Sequence, residues 1–89
     1  MEGKQPEAID FYTFVLSLAS SAFVHLGDAP DPETGEAGKP ELGLARQTIE
    51  ILAMLREKTK GNLTAEEEAF VENLLMDLRL RFVAKSAGR

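Results

Sequence analysis

The chain has 89 residues and a mass of 9.8 kDa, enough for one small domain, and its lack of cysteine excludes a disulfide scaffold or a thiolate metal site. Fifteen acids against ten bases leave a formal net charge of -5, so long-range attraction to a polyanion has the wrong sign. The charge is uneven, with eight acids and two lysines in residues 1–41 and seven acids and eight bases in residues 42–89.

Residues 11–26, FYTFVLSLASSAFVHL, contain no Asp, Glu, Lys or Arg and predict a helix over 10–26 with Asp10 as its cap. Phe11, Val15, Leu18 and Ala22 form one stripe, and Tyr12, Leu16, Ala19, Phe23 and Leu26 form a neighbouring one. Phe14 widens the apolar surface further. A membrane span needs roughly 20 apolar residues. This shorter segment, with serines at 17, 20 and 21, reads instead as a buried helix without a membrane signal. Ser17, Ser20 and Ser21 lack an identifiable base, and their small side chains are expected to let helices approach. His25 is the only histidine, with no HExxH pattern or cysteine cluster beside it, so no metal is expected. Its expected role is a local hydrogen bond or a contact with the negative end of the helix. No export signal stands at the N-terminus, and a cytoplasmic location is the expectation.

The stretch GDAPDPETGEAGKP, residues 27–40, holds three glycines, three prolines and four acids and predicts an exposed, flexible loop. Its length exceeds the usual helix connection, leaving room for a crossover between distant helix ends or for a recognition segment.

A second helix is expected over 41–60, with Ala45, Ile49 and Leu52 on one stripe and Leu44, Ile51 and Leu55 beside it. Gly61 is the expected stop, since its missing side chain permits the left-handed backbone that closes helices. A third helix is expected over 64–84, started by Thr64 with Glu67 at the reciprocal capping position. Glu66, Glu67 and Glu68 are then a helix start rather than an acid–base pair. Val71, Leu74, Leu75, Leu78 and Phe82 form its packing stripe, and Met76, Leu80 and Val83 form a second apolar line that needs a cover. Asp77 and Arg81, four apart, suit an outward ion pair.

Together these elements predict an all-α, three-helix unit, 1–89, with helices 2 and 3 as an antiparallel hairpin, assembled as a homodimer that covers the second line. The expected function is a non-catalytic protein-interaction or oligomerisation module with no cofactor, formed with its own copies or with another protein. Its interaction residues are Phe11, Phe14, Leu18, Met76, Leu80 and Val83. The alternative is a regulatory module holding a small anion or nucleotide at the basic hairpin through Arg56, Lys58, Lys60 and Thr64, where backbone donors open the third helix. The run lacks the GxxxxGK[ST] pattern of a phosphate loop. A nucleic-acid surface requires Lys58, Lys60, Arg79, Arg81, Lys85 and Arg89 to converge.

The ordered segments FYTFVLSLASSAFVHLG, the acidic proline–glycine loop, LARQTIEIL and EKTKGNLTAEE resemble the small bacterial family known as domain of unknown function 1844, across about residues 9–83. By that resemblance Phe11, Phe14, Leu18, Leu26 and Gly27 match the first segment, and Leu44, Ala45, Ile49 and Leu52 match the second. Thr59, Gly61, Asn62, Leu63, Thr64 and Glu67 match the junction between the last two helices. The resemblance implies compact helical architecture and supplies no reaction or substrate.

Overall fold

In the computed structural model, which describes residues 9–88, the first helix, α1, spans Phe11–Leu26. It starts on Asp10, whose carboxylate accepts the Thr13 N–H at 2.8 Å, and that bond holds the carboxyl below its usual value of 3.8. It ends on Gly27 at φ +80°. The Gly27 N–H bonds the Val24 carbonyl and the Asp28 N–H bonds the Phe23 carbonyl, both at 2.9 Å, which is the paired closure of a Schellman motif. The positive φ favours glycine here, and a Cβ at 27 would also stand a tight 3.1 Å from the Gly38 carbonyl oxygen and 3.4 Å from Pro40 Cγ.

The 27–40 segment does not cross between distant helix ends. The Glu41 N–H bonds the His25 carbonyl at 2.7 Å, so the loop leaves and returns at one place. A turn sits within it: the Asp31 carbonyl accepts the Gly35 N–H at 2.7 Å, the Asp31 side chain accepts the Glu33 N–H, and the Asp31 N–H bonds the Glu36 carbonyl. The expected flexible stretch therefore carries local hydrogen-bonded structure.

Helix α2 spans Leu42–Lys58 and helix α3 spans Ala65–Ser86. The second stops before the expected residue 60: Thr59 is its cap, and the Thr59 hydroxyl donates back to the Leu55 carbonyl at 2.8 Å. Gly61, at φ +86°, makes the left-handed turn after the helix rather than ending it. The third starts where the capping pattern places it, with Glu67 N–H to Thr64 Oγ1 at 3.0 Å and Thr64 N–H to Glu67 Oε1 at 2.9 Å. It runs two residues beyond the expected 84.

The three helices pack as an all-α bundle, α1 against α2, α2 against α3 and α1 against α3, with sequential neighbours antiparallel. The core takes Val15, Ala19, Ala22 and Leu26 from α1, Ala45, Ile49 and Leu52 from α2, and Val71, Leu75 and Leu78 from α3. Burying each large aliphatic side chain contributes roughly 1.5–3 kcal/mol. The alanines permit close helix approach, since Ala19, Ala22 and Ala45 are fully buried. Ser17, Ser20 and Ser21, expected in that role, are exposed instead, because they fall outside the arc that faces the other helices. The one buried polar residue among those described, Thr48, donates its hydroxyl to the Leu44 carbonyl at 3.1 Å.

Candidate functional site

On α3 the two apolar lines separate by about half a helical turn. Val71, Leu75 and Leu78 are 0–1% exposed, whereas Met76, Leu80 and Val83 remain 62%, 66% and 64% exposed. The exposed three line a single shallow cleft with Leu75 at its floor and Glu72 and Arg79 along one edge. Arg79 and Val83 also belong to a second cleft that continues over Ile49, Ala53 and Phe82 between α2 and α3. The two clefts thus meet at Arg79 and Val83, with Arg46 and Glu50 also lining the second. Glu72 is steadied by Arg56, whose Nη1 donates to Glu72 Oε1 at 3.0 Å. Arg79 forms no ion pair with any described residue.

The six expected interaction residues are not one patch. Phe11 and Leu18 are half-buried and pack against the core, Phe14 is 44% exposed on α1, and only the three from α3 share a cleft. The helical spacing that put Phe11 and Leu18 on an apolar stripe is also the spacing that turns them inward.

The basic hairpin brings Arg56 and Lys60 together, but with Glu57, Glu68 and Glu72 lining the same hollow. Arg56 reaches Glu57 at 3.6 Å as well as Glu72, and Lys60 reaches Glu57 at 3.7 Å. Lys58 is exposed and does not line the hollow, while the Thr64 hydroxyl is engaged in the helix cap.

A charge cluster not foreseen from the residues joins α1 to α3. Asp28, placed just past the Gly27 turn, accepts from Lys85 Nζ at 2.8 Å and from Arg81 Nη1 at 3.2 Å, and its side chain is 18% exposed. The Lys85 hydrogen bond, reinforced by Arg81, outweighs burial and holds the Asp28 carboxyl below its usual value. Arg81 also donates Nε to Asp77 at 2.9 Å, as the i,i+4 spacing predicts, and its guanidinium lies 5.0 Å from the centre of the Phe23 ring. Hydrogen bonds to Asp77 and then Asp28 push the Arg81 guanidinium above its ordinary range. An acid after a glycine cap is the only local hint of this cluster, since Arg81 lies 53 positions along the chain. The cations at 81 and 85 are thereby committed inside the molecule, and Arg89 lies outside the described residues.

His25 occupies the last turn of α1, with its carbonyl bonded to the Glu41 N–H. Glu66, Glu67 and Glu68 occupy the first turn of α3, where negative charge is favourable. Among the described residues, no group of three or more His, Cys, Asp or Glu is arranged to hold a metal ion, and no helix is long and apolar enough to cross a membrane.

Neither a curated protein nor a solved structure gives a significant match to the chain. The family model described as domain of unknown function DUF1844 matches residues 8–84, a span that takes in α1, α2, all but the last two residues of α3, the 27–40 loop and the KGNLT junction. The chain therefore belongs to the DUF1844 family.

Proposed function

We propose that the protein is a non-catalytic interaction and oligomerisation module whose association face is the outer side of α3. The observation that carries this reading is the exposure of Met76, Leu80 and Val83, each above 60%, on a helix whose opposite side buries Val71, Leu75 and Leu78. A contiguous apolar cleft rimmed by charged residues is the usual form of an association surface. Its continuation over Ala53 and Phe82 extends the surface onto α2. Sedimentation velocity from micromolar to millimolar concentration tests it. The expected result is a concentration-dependent larger species for the unmodified protein and a folded monomer for Leu80→Glu. A protein that stays monomeric throughout, or one whose association ignores Leu80→Glu, defeats self-association through this face.

Anion binding at the hairpin is the weaker reading, because Glu57 and Glu72 already pair with Arg56 and Glu57 with Lys60. Saturable amide shifts across residues 56–67 during a polyphosphate titration at physiological salt would restore it.

A further inference from the structure

We infer that the occupant of the outer face of α3 is a second copy of this chain, lying antiparallel, with Glu72 of each copy opposite Arg79 of the other. This rests on the reading of that face as an association surface and adds the partner and its orientation.

Ala69, Asn73, Met76, Leu80 and Val83 recur at alternating separations of four and three residues, and all five are exposed. The core line of the same helix, Val71, Leu75, Leu78 and Phe82, has the same spacing against α1 and α2, so the outer line has the geometry to pack along a further helix as a seam. The seam is apolar except for Asn73.

Charge at the margins of the seam selects the orientation. Glu72 and Arg79 lie on one margin, seven residues apart, while Asp77 lies on the other. In a parallel pair, opposite margins meet, so Glu72 falls against Asp77 of the second copy, an acid that Arg81 already holds at 2.9 Å, and Arg79 meets no acid. In an antiparallel pair, equal margins meet, and Glu72 falls against Arg79 twice with opposite sign. Arg79 makes no ion pair with a described residue, and Glu72 meets Arg56 through Oε1 at 3.0 Å, so its Oε2 is the oxygen that the second copy's Arg79 would take. In this register Leu80 packs over the small Ala69, and the two Asn73 amides flank the two-fold axis. A lone seam asparagine of this kind favours one register over slipped ones at a cost in stability.

The test uses charge reversal and cysteine cross-linking, which is clean because the chain has no native cysteine. Sedimentation equilibrium should show R79E dimerising roughly tenfold more weakly than the unmodified protein. Because E72R would face Arg56 within the same copy, the repair is read in an R56Q background, where R56Q/E72R/R79E should recover the affinity of R56Q to within roughly twofold, with far-UV circular dichroism unchanged throughout. On oxidation, a mixture of A69C and L80C should form mixed disulfide dimers, whereas L80C alone should form few. A dimer that is lost on L80E but indifferent to R79E, with L80C linking readily to itself, overturns the antiparallel arrangement and leaves the association face standing. Loss on R79E that the exchanged pair fails to repair in the R56Q background also overturns it. An unmodified protein that is monomeric at every concentration overturns the association face as well.

Discussion

Leu78 and Leu80 stand two positions apart on α3, yet one is fully buried and the other keeps 66% of its surface exposed. They point about 200° apart around the helix, so the first enters the space between α1 and α2 and the second faces away from both. The same contrast holds for Leu75 against Met76, at 1% and 62%. Two apolar lines on one helix are therefore buried to different degrees. The inner line packs in the core of the bundle, and the outer line, the proposed association face, stays exposed.

Denaturant unfolding at dilute concentration, where any dimer dissociates, gives this contrast numbers. Leu78→Ala should lose about 2–5 kcal/mol in urea unfolding, because it removes a fully buried side chain and leaves a cavity between three helices. A loss no larger than that of Leu80→Ala would break the distinction between the faces. Between the faces lies the flank of α3 that carries Arg81 and Lys85, and Gly27 sets the turn that delivers Asp28 to it. Gly27→Ala should cost about 1–2 kcal/mol in the same assay, from the positive φ, with the contact to the Gly38 carbonyl adding to it.

Asp28→Asn should cost less than about 1 kcal/mol at neutral pH, since its two cationic partners remain partly in water. The sign of its pH dependence follows from the lowered folded-state pKa. The contribution is present above the ordinary value of 3.8 and is lost as pH falls through the lower folded value. Unfolding curves of the two proteins measured against pH should therefore converge at the acid end, and a gap that persisted there would show that Asp28 acts through packing rather than charge. The smallest effect should come from Leu80→Ala, within about 0.5 kcal/mol for the monomer, because the residue is mostly exposed. Its consequence should appear instead in the concentration dependence of sedimentation.

Much of the local structure is legible in the residues. Asp10, Thr64 with Glu67, and Asp77 with Arg81 each act across three or four positions, and their hydrogen bonds form as that spacing predicts. The end of α2 is less legible, because Thr59 closes the helix with its own hydroxyl before Gly61 is reached. The outer line on α3 is readable as a stripe, but the stripes on α1 that contain Phe11 and Leu18 read the same way and turn out to pack inward. The serines of α1 and the alanines beside them are equally small, and only the angle each takes toward α2 and α3 separates them.

The amino-acid order accordingly settles three helices, the N-caps at Asp10 and Thr64 and the apolar character of each stripe, because those depend on interactions within one turn of the chain. Only the packed bundle decides which stripe is covered, that the 27–40 loop closes on itself through His25 and Glu41, and that Asp28 reaches Lys85. The reason is physical: burial and ion pairing between distant positions depend on where neighbouring helices lie, and no spacing along a single helix specifies that.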